Sequence, residues 1–140
     1  MNILIDTNVV IDVLIQREPY FENSQLVLLA SEQKYIKGFV SASAVTDIFY
    51  VVNKFLKNKK STSELLKKHL IGSIYIAAVD SDIIIKSLET EWDDFEDCVQ
   101  YIVGESISAD YIVTRNSADF VNGNINVVTP EELLNIIAPE

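Results

Sequence analysis

The feature that most constrains the fold is a set of five short runs that are apolar at nearly every position. They cover residues 2–5, 36–41, 74–79, 111–114 and 125–128, and segments of helical periodicity separate them. Strands with one solvated face alternate between apolar and polar residues, whereas parallel strands covered on both faces are apolar throughout. The pattern therefore predicts an α/β fold with three α/β/α layers around a central, mainly parallel five-stranded sheet.

Helical spacing and capping residues predict seven helices between and after these runs. The expected ranges are about 8–16, 20–34, 43–56, 63–70, 80–90, 95–108 and 129–137. Asn8, Ser43 and Asp80 are the expected N-caps of three of them. The last helix has the strongest start, because Thr129 suits the cap, Pro130 suits the first helical position and a glutamate follows for a capping box.

The charge balance argues against broad electrostatic binding of nucleic acid. The 140 residues, which we expect to form a single domain spanning 1–140, hold 11 basic and 21 acidic side chains, with a net charge of −10. Six of the 11 basic residues nevertheless share one stretch: Lys54, Lys57, Lys59, Lys60, Lys67 and Lys68. This stretch is either a solvated loop flanked by two helix faces or a groove that contacts phosphates.

Several further features favour a cytoplasmic protein without disulfides. The single cysteine, Cys98, cannot form an internal bridge. The N-terminus enters an apolar run at once and has no basic region, which argues against a signal peptide. The sequence contains no run of about 18 uninterrupted apolar residues, so we expect no membrane span.

Polar side chains follow two of the predicted strands at the point where each strand ends. Asp6 comes directly after the first run, in LIDTNVV, while Asn116 and Asp119 come after the fourth, in IVTRNSADF. In open parallel α/β sheets, functional groups collect just beyond the carboxyl ends of the strands. These three residues are therefore candidate site residues at one edge of the sheet.

Two further aspartates have surroundings that helix capping does not explain. Asp47 lies beyond the first turn of its predicted helix among apolar neighbours, where a buried carboxylate is costly without a cation or a donor. A solvated helix edge is the alternative for Asp47. Asp97 follows Asp93 and Asp94 by four and three positions, so it faces like charges on one helix face. A cation site would relieve that repulsion.

The acids suggest one chemistry if they meet in the fold. Oxygen ligands without clusters of histidine or cysteine select hard cations, here Mg²⁺ or Mn²⁺. Such ions can ionise a water, orient it in line with a phosphodiester and stabilise the leaving oxygen. The acidic residues therefore predict metal-assisted hydrolysis of a phosphate ester.

Three segments resemble the PIN-domain family, and in particular the ribonuclease toxins of bacterial toxin–antitoxin pairs. ILIDTNVVIDVL, DFEDCVQ and IVTRNSADF occur in the order that the family has, and together they span most of the chain. The resemblance implies a PIN-like fold, metal-dependent endonucleolytic cleavage of RNA, a cognate antitoxin as partner and a homodimer.

The resemblance also implies roles for individual residues. The family's first three acids fall on Asp6, Asp47 and Asp97, which would hold the metal. The fourth position falls on Asn116, and Asp119 lies three residues further on, where it would supply the missing charge.

Three other residues are the expected substrate contacts. Thr7 and Asn8 are the polar neighbours that would orient the site around the first acid. Arg115 would either contact a phosphate near the cut or pair with an acid at the rim of the crevice. The sequence leaves these two alternatives for Arg115 open.

Two departures from the family pattern keep a second function open. The usual glutamate is Asp47 here, which is shorter by one methylene, and Asn116 brings no charge. A catalytically degenerate PIN module that binds RNA or a protein partner is therefore the alternative. Phosphotransfer on Asp6 fits less well, because a phosphatase needs a second aspartate where Asn8 stands and a receiver needs a lysine where Thr129 stands.

Overall fold

The structure is a computed structural model that describes residues 1–138. The last two positions of the expected domain, Pro139 and Glu140, lie outside the described residues.

Five strands form one sheet in which every neighbouring pair is parallel. They are β1 (Asn2–Ile5), β2 (Lys37–Ser41), β3 (Tyr75–Ala77), β4 (Tyr111–Val113) and β5 (Asn126–Val128). Their spatial order is β3-β2-β1-β4-β5. The predicted parallel sheet is confirmed, although most strands are shorter than their apolar runs because the ends of the runs pass into caps and loops.

Seven α-helices connect and follow the strands within the described residues. They are α1 (Thr7–Leu14), α2 (Phe21–Glu32), α3 (Ala42–Leu56), α4 (Lys59–Leu70), α5 (Ser81–Leu88), α6 (Phe95–Ser106) and α7 (Pro130–Ile137). A short 3₁₀ helix, Ser117–Phe120, lies between β4 and β5. No helix within residues 1–138 combines the length and the apolar character needed to cross a membrane.

The helices α1 and α3 each begin one residue earlier than the sequence predicts. Asp6, not Asn8, is the N-cap of α1, and its carboxylate accepts the first N–H of the helix at 2.7 Å. Ser41, not Ser43, is the N-cap of α3, and its hydroxyl accepts a helix N–H at 3.2 Å. In both cases the strand passes into the helix without a loop, so the residue at the strand end also serves as the cap.

Residues 57–62, which lie between the predicted third and fourth helices, do not form a loop of their own. Lys57 ends α3 in the left-handed region, with φ of 55°, and Asn58 then caps α4 through its side chain. The fourth helix therefore begins at Lys59, four residues before the predicted start. The predicted caps at Asp80 and Thr129 are confirmed, including the capping box of the last helix.

Successive residues of β1 face two different hydrophobic cores. Ile3 and Ile5 lie in the larger core with residues of α1, α2, α3, α4 and α7. Leu4 lies in the second core with residues of α6. Because successive side chains of a strand point to opposite faces of the sheet, the two cores lie on its two sides, and helices cover each of them. The three-layer α/β/α arrangement is therefore confirmed.

The order of the strands creates a switch point between β1 and β4. The chain adds β2 and β3 on one side of β1, and later adds β4 and β5 on the other. Ile5 and Val113 pair in register, so Asp6 and Thr114 emerge side by side at the carboxyl edge of the sheet. At such a switch point the helices diverge and leave a crevice open for ligands.

Gly38 in β2 has no room for a side chain. A Cβ there would lie 2.7 Å from Ser31 Oγ and 2.9 Å from Ile5 Cδ1. Ser31 Oγ also accepts the Gly38 N–H at 3.1 Å and donates to the Ser73 carbonyl at 2.7 Å. We expect Gly38→Ala to lower the free energy of unfolding by about 1–3 kcal/mol, because it overpacks this contact. Urea denaturation followed by circular dichroism measures the change.

Gly104 in α6 provides the matched control. Its Cβ would approach the flexible end of Ile125 at 3.1 Å, and alanine is a better helix former than glycine. Gly104→Ala should therefore be nearly neutral. A cost as large as that of Gly38→Ala would contradict the argument from packing at β2.

Candidate active site

A cavity of about 660 Å³ opens at the carboxyl edge of the sheet, beside the switch point. Residues of α1, α3, α5, α6 and the 3₁₀ helix line it, together with Asp6 before α1 and Arg17 after it. Four of the predicted carboxylates are among the lining residues: Asp6, Asp47, Asp97 and Asp119. Thr7 and Asn8 line the cavity as well. The fold therefore brings together acids from four distant segments of the chain.

Asp6 is 5% exposed, and four donors hold its carboxylate. Oδ1 accepts the Thr7 N–H at 2.7 Å and the Gln100 Nε2–H at 2.9 Å. Oδ2 accepts the Thr114 hydroxyl at 2.7 Å and the Asn8 side-chain amide at 3.3 Å. A buried carboxylate needs such partners, and four of them fix the orientation of both oxygens.

Two residues of this network, Gln100 and Thr114, are missing from the predicted site. Gln100 follows Asp97 by three positions, so the two residues share one face of α6. Thr114 directly follows β4 and is fully buried although it is polar. Helical spacing from Asp97 and the polar end of an apolar strand are the signals that could have identified them.

Asp97 lies in the first turn of α6, where Asp94 is the N-cap and accepts the Asp97 N–H at 2.9 Å. Burial is the main cause that raises the pKa of Asp97, to about 7, and four neighbouring carboxylates add to it: Asp119, Asp94, Asp6 and Glu96. Like charges disfavour the ionised form of a carboxyl group. The predicted crowding of Asp97 by Asp94 is confirmed, and acids from two other segments increase it.

Asp119 approaches Asp97 from the 3₁₀ helix. Trp92 Nε1 donates to the Asp119 carbonyl at 3.2 Å and fastens this helix to the connector before α6. Burial raises the pKa of Asp119, and the carboxylates of Asp6 and Asp94 raise it further. Asp6, Asp97 and Asp119 therefore form one electrostatically coupled group, which we call the acidic group.

Asp47 lines the same cavity from α3 but stands apart from the acidic group. Its side chain is exposed, and the expectation that it is buried among apolar neighbours is wrong. The buried face of α3 belongs to Ile48 and Val52, which leaves residue 47 on the outer side of the helix. Asp47 is not among the carboxylates that raise the pKa of Asp97 or Asp119.

Asn116 and Arg115 are not among the described residues that line the cavity. Asn116 is exposed, and its backbone N–H donates to the Thr114 hydroxyl at 3.0 Å. Arg115 Nε lies 2.6 Å from Asp12 Oδ2, and the guanidinium carbon lies 4.0 Å from the centre of the Tyr20 ring. Of the two alternatives for Arg115, this geometry favours pairing with an acid.

Asp12, a residue of α1, is a second buried acid of the protein, and it is fully buried. Burial raises its pKa, whereas Arg115 and Arg17 oppose that rise. Arg17 Nη1 lies 3.6 Å from Asp12 Oδ1. Arg17 is also the one basic side chain among the described residues that line the cavity. The arginines are thus held by Asp12 rather than by the acidic group.

The residues of the cavity fit a hard divalent cation by the type of their donors. They offer carboxylate oxygens, and Gln100 Oε1 is a buried oxygen without a hydrogen-bond partner in the described part of the chain. Within residues 1–138, no three His, Cys, Asp or Glu side chains lie close enough to share one ion. Mg²⁺ is commonly held by one or two carboxylates and several waters, so few direct ligands suffice.

The fold and the site define a class of protein: a doubly wound α/β domain with an acidic group at the switch point of a parallel sheet. The sequence model of the PIN domain matches residues 2–118. This match covers most of the chain, and the protein therefore belongs to the PIN domain family.

Solved structures of toxin–antitoxin proteins share the fold. The chain is 23% identical to one from a toxin–antitoxin complex of Klebsiella pneumoniae, with a TM-score of 0.65 and coverage of 91% of this chain and 96% of that chain. VapBC2 of Rickettsia felis, bound to a promoter DNA fragment, is 17% identical, with a TM-score of 0.67 and coverage of 92% of this chain and 98% of that chain. Mycobacterium tuberculosis VapC20, a sarcin-ricin loop cleaving toxin, is 11% identical, with a TM-score of 0.62 and coverage of 79% of this chain and 86% of that chain.

At these identities the likeness shows the fold alone. A comparison with curated protein sequences gives no significant match.

The raised pKa of Asp97 predicts a pH-dependent stability of the cation-free protein. An aspartate in an unfolded chain ionises near pH ~3.9, whereas Asp97 in the folded state ionises near pH 7. The folded state therefore keeps a proton that the unfolded state loses, and stability falls as the pH rises through this window. With a chelator present, Asp97→Asn should raise the Tm at pH 8 and leave it nearly unchanged at pH 4.

Asp93→Asn is the matched control, because it removes an exposed acid of the same segment that does not line the cavity. Thermal unfolding of both variants at the two pH values measures the effect. An equal change in Tm at pH 4 and pH 8 for Asp97→Asn would show that the Asp97 carboxyl is not perturbed.

Proposed function

We propose that this protein is a metal-dependent endoribonuclease that hydrolyses RNA phosphodiester bonds, with the whole chain acting as one nuclease domain. The observation that carries the proposal is the convergence of Asp6, Asp97 and Asp119 at the switch point, where burial and mutual repulsion raise the pKa of Asp97 to about 7. Membership of the PIN domain family supports it.

Asp6 and Asp97 would hold a Mg²⁺ or Mn²⁺ ion, with Asp47 as a further ligand and Asn116 or Asp119 completing the site. When bound, the ion supplies a Lewis acid that lowers the pKa of water and stabilises a leaving oxygen. The four donors on Asp6 orient its oxygens in advance. Asp97 would hold the cation as the ionised carboxylate, because metal ligation requires a deprotonated ligand.

The substrate contacts remain Thr7, Asn8 and Arg115. Thr7 and Asn8 line the cavity, where they are placed to contact an RNA strand bound beside the acidic group. Arg115 is 24% exposed beside its pair with Asp12, so it is a contact for a phosphate outside the cavity.

We further propose that the protein is the toxin of a toxin–antitoxin pair and acts in the cytoplasm. Its fold is similar to those of a protein from a toxin–antitoxin complex of Klebsiella pneumoniae, of VapBC2 from Rickettsia felis and of a sarcin-ricin loop cleaving toxin. A basic segment of a cognate antitoxin would complement the acidic cavity of a chain with net charge −10. A homodimer is the proposed assembly of the toxin.

A degenerate PIN module that binds RNA or a protein partner is the second candidate. Two observations favour it. Asp47 is exposed and is not among the carboxylates that raise the pKa of Asp97 or Asp119. In the described residues no three ligating side chains lie close enough to share one ion. Such a module would keep the fold and lose the cation.

Cleavage of RNA tests the first candidate directly. We expect the wild-type protein with Mn²⁺ to cleave a single-stranded RNA, and Asp6→Asn to be slower by roughly 100-fold or more, since metal ions contribute several kcal/mol to such reactions. Asparagine is also a good N-cap, so the substitution retains the start of α1. Asp93→Asn should cleave at the wild-type rate. Equal rates for wild type and Asp6→Asn would end the nuclease proposal.

A titration with Mn²⁺ separates the two candidates. Calorimetry should detect binding to the wild-type protein and a loss of at least about 10-fold in affinity for Asp97→Asn, because a direct carboxylate ligand is removed. The Asp93→Asn variant should bind as the wild type does. If the wild-type protein binds no divalent cation, the degenerate module is the better description.

A further inference from the structure

The outer face of α3 runs from the cavity to a basic corner of the protein, the lysine-rich turn between α3 and α4. Ser43, Asp47 and Tyr50 line the cavity, and Lys54 and Lys57 follow at the same helical spacing towards the end of the helix. Residues spaced three and four apart share one face of a helix. All five side chains are exposed. We call Tyr50, Lys54 and Lys57 the α3 stripe.

The α3 stripe ends in the most basic part of an acidic chain. Residues 48–79 contain six lysines and a single acid, Glu64, whereas the whole chain carries a net charge of −10. Four lysines gather around the turn between α3 and α4: Lys54, Lys57, Lys59 and Lys60. The ten positions from Asp47 to Lys57 correspond to ~15 Å along the helix axis. A cationic surface therefore begins within a few helical turns of the acidic cavity.

Tyr50 stands between these two regions with its ring accessible. It is 69% exposed although it borders the cavity, and within residues 1–138 it takes part in none of the aromatic or cation–π contacts. Phe95, which is 45% exposed, borders the cavity from α6. Accessible aromatic rings beside a cationic groove are the stacking platforms of proteins that bind single-stranded nucleic acid.

We propose that the α3 stripe binds a single strand of RNA where it leaves the cavity. Tyr50 stacks on an unpaired base, and Lys54 and Lys57 bind phosphates of the adjoining nucleotides. The proposal rests on the proposed nuclease function and assigns the surface that holds the unpaired strand outside the cavity, because a paired base offers no free face to the tyrosine. The complementarity between lysines and phosphates favours RNA over a protein as the occupant of this face.

Binding of a fluorescent 12-nucleotide pyrimidine RNA tests the stripe. The full-length protein is used with a chelator, so that no cleavage occurs, and anisotropy is recorded over a range of salt concentrations. Tyr50→Ala should weaken binding by at least about 5-fold, whereas Tyr50→Phe, which keeps a stacking ring, should stay within about 2-fold of the wild type. Lys54→Gln/Lys57→Gln should reduce the slope of log affinity against log salt by about 1.4.

Two variants are the matched controls. Lys67→Gln/Lys68→Gln makes the same change in charge at the far end of α4, and Tyr35→Ala removes a tyrosine that is 72% exposed elsewhere. Neither should alter affinity or salt slope appreciably. Wild-type affinity for Tyr50→Ala and for Lys54→Gln/Lys57→Gln would overturn the proposal. Equal salt slopes for the two lysine pairs would also overturn it, since the attraction would then be general.

Parallel measurements separate this proposal from the nuclease proposal. If the wild-type protein cleaves RNA with Mn²⁺ and the stripe variants bind and cleave as it does, only the stripe is wrong. If the wild-type protein neither binds nor cleaves RNA, both proposals fail. If Tyr50→Ala changes the sedimentation mass and leaves RNA affinity unchanged, α3 contacts a protein and the RNA stripe is overturned.

Discussion

The burial of the Asp6 carboxylate at the end of β1 is the constraint on which the rest of the site depends. Its donors come from α1, from Gln100 of α6 and from Thr114 after β4. An uncompensated carboxylate in this position would be strongly destabilising, so these elements have to meet in one register. The fold therefore assembles the site, and the hydrogen bonds of the site in turn join the two halves of the sheet at the switch point.

Asp12 and Asp97 are fully and partly buried acids whose charged neighbours act in opposite ways. Burial raises the pKa of both Asp12 and Asp97. Arginines counteract this rise at Asp12, whereas neighbouring carboxylates increase it at Asp97. Asp12 therefore forms an ordinary structural ion pair with Arg115, which also holds the chain directly after Thr114. Within the described residues no arginine pairs with the acidic group in this way, and for this reason the acidic group, and not Asp12, is the proposed cation site.

The sheet could be predicted from the sequence because its strands are apolar throughout, a pattern that depends only on local residues. The acids at strand ends could be predicted for the same reason, since Asp6 and Asp119 follow apolar runs. Helical spacing marks Gln100 as a residue of the site, but which residues pair across long stretches of the sequence could not be predicted. Gln100 meets Asp6 across 94 positions, and Arg115 meets Asp12 across 103. Periodicity within one segment carries no information on such pairs.

The exposure of Asp47 is the alternative that the sequence left open, and it follows from the helix because the buried face of α3 belongs to Ile48 and Val52.

The distance between the basic corner and the acidic cavity has a consequence for how RNA would approach. Exposed charges are largely screened beyond a Debye length, which is ~8 Å at physiological ionic strength. Lys57 lies ~15 Å along α3 from Asp47, so the lysines can attract a phosphate while the acids repel one elsewhere. Entry into the cavity itself brings a phosphate against the acidic group, whose repulsion a bound cation would reduce. On the proposed function, the lysines therefore govern the encounter with RNA and the cation governs its final placement.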